Sequence, residues 1–374
     1  MGVDQIEAYG EVRYLQELQQ ELREKRYGAK SIRRVYIPKP NGQKRPLGIP
    51  CIRDRIVQRA VKMVLEPIAE AKFLDCSYGF RPKRSTRGAS KQVWKYLNFG
   101  CTQVIQVDLQ AYFDTIPHDR LMDLIRRYVA DKNILKMLKA WLKAKVVDRG
   151  EIIQPEEGSP QGGVVSPLLS NWYLHQFDEE WHKRNNHRKW RYDAVLTRYC
   201  DDILIQVPRE DPRIWKEAKE ILEGLGLGIN LDKTQFRDAR EGFDYLGYHF
   251  VRDYSSRHHK DVTHVIPTQE SKKRVWDKIR WYTDKRRYQN LPAAWIVKHI
   301  NPILMGWTNY YSHTHSHRVF RQLQTYTNDR LRKTLRYRSK KGGVGKYRAL
   351  PNKVLYGRYG LACIEMNRIH YCWS

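Results

Sequence analysis

Two short runs of β-branched and aliphatic residues, Ala194-Val195-Leu196-Thr197-Arg198 and Ile203-Leu204-Ile205-Gln206-Val207, flank the tetrad Tyr199-Cys200-Asp201-Asp202. Such runs read as strands, and so short a link between them constrains the chain to a tight antiparallel hairpin. Both aspartates then fall on its turn. Turns accept Asp readily, but adjacent carboxylates repel each other unless a cation neutralises them. A third carboxylate, Asp108, ends another apolar run, Val104-Ile105-Gln106-Val107. Carboxylates at strand ends suit hard cations such as Mg²⁺, which prefer oxygen ligands. A pair of such ions is a standard means of moving a phosphoryl group between oxygens. Taken alone, Asp201-Asp202 reads more readily as a solvated turn; the motifs around it reverse that balance.

Charge narrows the partners. The 374 residues carry 69 Lys and Arg against 41 Asp and Glu, a formal net charge of +28, which points to a polyanion. The excess is uneven: between Val265 and Gly360, 22 Lys and Arg face 4 Asp and Glu, +18 of the total. That last quarter is the expected nucleic-acid clamp. No run of 18 apolar residues suggests a membrane span, and Met1-Gly2-Val3-Asp4-Gln5 does not read as a signal peptide. Six cysteines without a C-x-x-C pair argue against a zinc ribbon or a disulfide framework and fit a reducing compartment.

The length allows two or three domains. Helical spacing predicts helices over 11–27, 54–71, 119–144 (one or two), 166–181 and 211–225. A basic hairpin is expected from Arg33-Val35-Ile37 through Pro40-Asn41-Gly42 to Leu47-Ile49, and a strand pair or a strand with a turn over 243–251. From 269 the pattern turns helical, over 269–288, 292–311 and 316–338, until Lys340-Lys341-Gly342-Gly343 breaks it. The domain boundary is expected near 252–268, where polar residues replace core periodicity. Trp276, Trp281, Trp295 and Trp307 sit at helical intervals, which favours packing over base stacking. His313, His315 and His317 lack a nearby Cys or acid, so a metal reading is not supported.

With these motifs in order, the chain resembles the reverse transcriptases of bacterial group II introns. Ile37-Pro38-Lys39 and Arg45-Pro46-Leu47-Gly48-Ile49-Pro50 are similar to that family's fingers hairpin. Ser77-Tyr78-Gly79-Phe80-Arg81-Pro82 is a near-literal match to another signature. Asp108-Leu109-Gln110-Ala111-Tyr112-Phe113-Asp114 resembles the first catalytic motif, and Gly158-Ser159-Pro160-Gln161-Gly162-Gly163 through Ser170-Asn171 the next. Tyr199-Cys200-Asp201-Asp202 stands where Tyr-Ala-Asp-Asp is usual. Leu231-Asp232-Lys233-Thr234 and Tyr245-Leu246-Gly247-Tyr248 resemble the later palm motifs, and Asn301 to Tyr311 the thumb, or maturase, signature. The match runs from about residue 32 to 360.

The resemblance implies an α+β right-hand polymerase fold. Its expected parts are an N-terminal helix and fingers over 1–100, palm over 101–255, a helical thumb over 265–340, and a basic tail over 341–374. It implies RNA-directed DNA synthesis with two Mg²⁺ ions (Mn²⁺ as an alternative) held by Asp108, Asp201, Asp202 and the carbonyl of Leu109. Arg33, Lys39 and Arg45 would grip the nucleotide triphosphate, Phe113 would exclude a ribose 2′-hydroxyl, and Gln161 and Lys233 would complete the nucleotide site. Asp114 is left out, because alternation along an extended segment points it elsewhere. Tyr245, Leu246, Gly247, Lys272, Lys273 and Arg274 would contact primer and template. The implied partners are a structured intron RNA as template, a DNA or RNA primer, and dNTPs, in a bacterial cytoplasm and associated with nucleoid or ribonucleoprotein. The sequence leaves the oligomeric state open.

Three departures bear on this reading. Relatives carry several tens of residues before a Gly-Val-Asp like Gly2-Val3-Asp4, so template clamping and template jumping come into question. Cys200 replaces a small alanine; metal binding is expected to survive, and sensitivity to thiol oxidants becomes a question. No endonuclease signature follows the thumb. Two other readings compete: a group II-derived enzyme recruited by its host for defence, repair or spacer acquisition, and a splicing cofactor without polymerase activity. The intact carboxylates argue against the second, and Phe113 argues against an RNA polymerase.

Overall fold

The computed structural model describes residues 6–7, 9–38, 42–186, 194–256, 259–284, 286–288, 290–339 and 350–364. Contacts divide the chain into residues 1–96 with 100–236, and residues 97–99 with 237–374.

The first unit opens with α1 (Glu11–Arg23), then the hairpin β1 (Ile32–Pro38) and β2 (Lys44–Ile49), as the basic pattern predicts. Of the predicted turn, Pro40 and Asn41 lie outside the described residues. Helix α2 (Ile52–Glu70) buries Val57, Val61, Leu65 and Ala69 along one stripe. Next come α3 (Thr86–Asn98), β3 (Gln103–Val107), the single turn α4 (Tyr112–Thr115), α5 (His118–Arg126) and α6 (Lys132–Leu142). The pattern over 119–144 is therefore two helices. Asp131 ends α5's connection by capping α6, accepting from the amides of Asn133 and Ile134. The short hairpin β4 (Val146–Asp148) and β5 (Glu151–Ile153), which the sequence pattern missed, extends the fingers sheet in the order β2-β1-β4-β5.

Helix α7 (Ser166–Asn186) is the centre of the unit. Trp172 lies on one side and Tyr173 and Phe177, four residues apart, share another, and all three are fully buried. Strands β6 (Val195–Tyr199) and β7 (Asp202–Val207) form the predicted hairpin, and helix α8 (Pro212–Gly224) starts on the Asp211 cap with Pro at its first position. With β8 (Gln235–Asp238), the second sheet is ordered β6-β7-β3-β8. Its core strands are antiparallel, with Ile105 opposite Ile205 and Leu196 opposite Ile205.

The second unit contains β9 (Phe243–Tyr245), β10 (Tyr248–Ser255), β11 (Lys260–Pro267), α9 (Gln269–Tyr282), α10 (Ala293–Tyr311), α11 (His317–Ser339) and α12 (Asn352–Gly357). The boundary expected at 252–268 is instead the β10–β11 hairpin, and the division falls at 236/237. The reason is period-two alternation: Phe250 opposite Val265 is fully buried while polar residues fill the outer face, which reads as a polar stretch. Thr268 caps α9. Trp276 packs edge-on to Trp307 and lies beside Tyr326, whereas Trp281 is exposed under the Arg287 guanidinium. His313 is buried against Tyr248, and His315 Nδ1 accepts from the Val265 amide. Residues 340–349 and 365–374 of the expected tail lie outside the described residues; 350–364 fold back, with Asn301 bonding Gly360 and Ala362.

No described helix is long and apolar enough to cross a membrane.

Candidate active site

Strand register brings the three predicted carboxylates to one sheet end. Val107 pairs with Ile203, so one step further Asp108 stands opposite Asp202. Tyr199 pairs with Asp202, leaving Cys200 and Asp201 as the two-residue turn. The expectation that both aspartates occupy the turn is corrected here. Asp202 is the first residue of β7, because Cys200 supplies the left-handed corner with φ +58°.

Like charges meet at this sheet end, although no three His, Cys, Asp or Glu side chains among the described residues are grouped as a ready-made metal site. Burial first, and then the negative charges of Asp201 and Asp108, push the Asp202 carboxyl up to about 6, against the opposing pull of Arg45. The Asp202 side chain itself opens to solvent, so screening tempers that repulsion. A divalent ion at this point would relieve like charges that the fold has drawn together. The backbone agrees: β3's continuation bonds residues 228–230 through the carbonyl of Asp108 and the amide of Gln110. Alternation therefore turns the carbonyl of Leu109 to the other side, toward the β6–β7 turn. The side-chain amino group of Lys233 lies 3.9 Å from Asp108 Oδ2.

A pH dependence follows. A raised carboxyl pKa contributes to metal-free stability at low pH, and this contribution fades as pH rises through about 6. Cation binding requires the proton to leave, so its dependence has the opposite sign. Lowering pH from 7 to 5 is expected to weaken Mn²⁺ binding about tenfold, and Asp202→Asn should flatten that dependence. A flat wild-type isotherm across this range would remove Asp202 from the cation site.

The nucleotide-site candidates sit on the fingers sheet and the loop before α7. Gly48 donates its amide to the carbonyl of Gln161 at 2.7 Å, and a Cβ on Gly162 would lie 2.5 Å from the Gly48 carbonyl oxygen. This clearance locks the Gly-rich loop to β2. Arg45 Nε donates to Gln161 Oε1 at 2.9 Å, and Gln161 Nε2 to Asp114 Oδ2 at 3.3 Å. Asp114, set aside on the assumption of extended backbone, is therefore part of the site. The segment is a helical turn, entered through Ala111 at φ +48°, which swings Asp114 toward Gln161. Burial raises its carboxyl pKa, opposed by Arg34 and Arg45. Arg33 is exposed and lies on the same face of the β1–β2 hairpin as Arg45, by alternation. Arg34, which the sequence reading missed, lines a cleft of about 230 Å³ with Gly48, Asp114, Gly158 and Gln161. Lys39 lies outside the described residues.

Phe113 is buried, its ring 5.5 Å from Tyr112 and its carbonyl accepting from Ser159 at 2.6 Å. Beneath it, Gly158 has φ +86°, and a Cβ there would meet the Asp114 backbone at 2.8 Å. His118 Nε2 donates to the Gly158 carbonyl at 2.5 Å.

The turn rests on residues whose role the sequence did not disclose. Asn171 of α7 donates to the carbonyl of Gly79 at 2.6 Å, and Tyr78 and Arg198 exchange backbone bonds with one another's neighbourhood: Tyr78 N to Arg198 O, and Arg198 N to Cys76 O. Cys200 is buried, and burial pushes its thiol up to about 12. Burial thus disfavours the thiolate, the form that oxidants attack.

Primer and template candidates belong to the second unit. Tyr245 is buried, and Leu246 and Gly247 turn at φ +51° and +80°. Tyr310 donates to the Leu246 carbonyl and Tyr311 to that of Gly247, each at 2.9 Å. Arg274 lines a cleft of about 680 Å³ with Leu246, Gly247, Lys278 and Trp307; Lys273 is exposed and Lys272 half-buried, its ammonium pKa lowered by burial.

Comparison with known proteins agrees with this geometry. The family described as "Reverse transcriptase (RNA-dependent DNA polymerase)" matches residues 37–250, and "Group II intron, maturase-specific domain" matches 272–353. Protein YkfC of Escherichia coli is 39% identical over 291 residues, spanning 69% of this chain and 76% of its own length. Group II intron-encoded protein LtrA of Lactococcus lactis is 38% identical over 161 residues, 43% of this chain and 27% of LtrA. The putative COX1/OXI3 intron 2 protein of Saccharomyces cerevisiae is 30% identical over 63% of this chain and 34% of its own length. The chain thus spans about a third or less of these two longer relatives. A telomerase structure from Candida albicans aligns over 83% of this chain and 60% of its own, at 15% identity and TM-score 0.49. Carboxylates at one sheet end, the Gly-rich loop on the fingers and the two matched domains lead to one conclusion: the chain belongs to the group II intron-encoded reverse transcriptase and maturase family, with its α+β polymerase fold.

Proposed function

We propose that this protein is an RNA-directed DNA polymerase that also assists the splicing and mobility of an intron RNA. The convergence of Asp108, Asp201 and Asp202 at one end of the β6-β7-β3-β8 sheet carries the reading. These carboxylates, with the carbonyl of Leu109, would hold two Mg²⁺ ions. When bound, such ions lower the pKa of a primer 3′-hydroxyl and neutralise charge on the departing pyrophosphate.

The chain's own groups do the rest. Arg45, held by Gln161, would present a fixed cation for triphosphate oxygens, with Arg33 on the same hairpin and Lys39 between its two strands in the sequence. Lys233, 3.9 Å from Asp108, would exchange that contact for a phosphate oxygen. Gln161 and the adjoining glycines let backbone approach the nucleotide closely. Tyr245, Leu246 and Gly247 would support the primer end. Lys272, Lys273 and Arg274 would contact phosphates, giving binding that weakens steeply with salt. An RNA–DNA hybrid would be read mostly by shape and sugar contacts. Its proposed compartment is a bacterial cytoplasm, in association with nucleoid or ribonucleoprotein. A host-recruited enzyme for defence or repair would use the same site, and flanking intron RNA domains around the gene distinguish the two.

The test is primer extension on an RNA template with Mg²⁺ and dNTPs, repeated with NTPs. Wild type should extend with dNTPs only. Phe113→Ala should raise ribonucleotide incorporation by about tenfold or more, ~1.4 kcal/mol of lost discrimination. Unchanged discrimination would return Phe113 to a packing role. No extension by folded, RNA-binding protein would favour a splicing cofactor without polymerase activity.

A further inference from the structure

Arg198 is an unusual residue to find at the middle of a core. It lies on β6 with no solvent exposure, and so does its partner Asp178 on α7. A buried pair of this kind gains little stability over apolar side chains of similar volume. Its geometry, however, reaches the catalytic turn. Arg198 Nε donates to Asp178 Oδ1 at 2.8 Å and Nη2 donates to Asp178 Oδ2. That bidentate grip fixes the plane of the guanidinium. Its remaining side, Nη1, donates to Asn171 Oδ1 at 3.1 Å and to the backbone carbonyl of Cys200 at 3.0 Å.

The carbonyl of Cys200 belongs to the peptide that carries Asp201. Cys200 holds a left-handed conformation, φ +58°, which a residue with a side chain adopts at a cost. The preceding peptide unit, Tyr199–Cys200, is equally confined. Gly79 lies so close that a Cβ on it would sit 2.9 Å from the Tyr199 carbonyl carbon, and nearer still to the Cys200 amide nitrogen. Asn171 ties the two sides together, accepting from Arg198 and donating to Gly79.

We infer that the Arg198–Asp178 pair is a positioning element of the metal-holding turn: it fixes the Cys200–Asp201 peptide and thereby the direction of the Asp201 carboxylate. The inference rests on the two-ion polymerase reading. A pair acting only as core filling would affect melting; a positioning pair affects cation binding in protein that is still folded.

The experiment replaces the pair with apolar side chains, Arg198→Met with Asp178→Leu, and separately makes the conservative Arg198→Lys. The lysine keeps the charge beside Asp178 but lacks the forked donors that reach Asn171 and Cys200. Mn²⁺ binding to the protein without nucleic acid is measured by the electron paramagnetic resonance of the free ion. Mg²⁺ titrations of primer extension and thermal melting accompany it. The expected result is folded variants whose Mn²⁺ affinity falls about tenfold, whose half-maximal Mg²⁺ concentration rises by the same factor, and whose kcat drops while KM for dNTP moves less than twofold. Folded variants with wild-type cation dependence would overturn the inference. Loss of folding in both variants would make the pair a fold determinant and overturn it as well. Wild-type protein whose Mn²⁺ binding is indifferent to Asp201→Asn would instead overturn the two-ion reading beneath it.

Discussion

Asp201→Ala should reduce primer extension by about 10³-fold or more, ~4 kcal/mol of transition-state stabilisation, without reducing melting temperature. Asp201 is the turn residue of the β6–β7 hairpin, one position before the carboxylate that its charge helps to raise. Removing it takes one negative charge out of a cluster that repels itself, so the metal-free fold loses nothing by its absence. The measurement is single-turnover extension at saturating Mg²⁺ beside a melting curve. Activity within tenfold of wild type in folded protein would place the metal-holding carboxylates elsewhere. A parallel fall in melting temperature would assign Asp201 to the fold rather than to the reaction.

Gly79→Ala should be the second large effect, although Gly79 carries no side chain to do chemistry. Its Cβ would lie 2.9 Å from the Tyr199 carbonyl carbon, and backbone atoms cannot yield as the end of a flexible side chain can. Either the segment 77–79 or the catalytic turn must move. Overpacking of this kind costs about 2 kcal/mol, a melting decrease of about 5 °C for a unit of this size. A displacement of the turn by about 1 Å would reduce extension roughly 10²-fold. Differential scanning calorimetry and extension rates on the same preparation check both. Wild-type rates together with wild-type melting would show that the clearance beneath the turn is not required.

Gly79 also marks where sequence reading stopped. Ser77-Tyr78-Gly79-Phe80-Arg81-Pro82 was legible as a motif, but its task was not. The parallel bridge from Ser77 to Arg198 joins segments more than a hundred residues apart, and no local period signals it. The same holds for Arg198. Flanked by Thr197 and Tyr199 on a strand, it looks like an ordinary strand residue until α7 delivers Asp178 and Asn171 to it. Asp114 was misplaced for a related reason. Extended backbone was assumed after Asp108, whereas a left-handed Ala111 starts a helical turn and redirects every later side chain. The boundary near 252–268 failed because alternation on a half-exposed hairpin lowers mean hydropathy without ending the core.

What the sequence determined by itself is the set of local commitments: a tight hairpin within Tyr199-Cys200-Asp201-Asp202, the helices with their Asp131, Asp211 and Thr268 caps, the Gly-rich loop, and the basic last quarter. Each depends on residues within one turn or one strand of each other, where propensity and periodicity act directly. The tertiary structure alone decided how those pieces meet. Strand register set Asp108 opposite Asp202, the Arg45–Gln161–Asp114 chain joined fingers to loop, and a buried guanidinium was aimed at the peptide carrying Asp201. Those relations depend on packing between segments far apart in the chain, where burial and charge outweigh local preference.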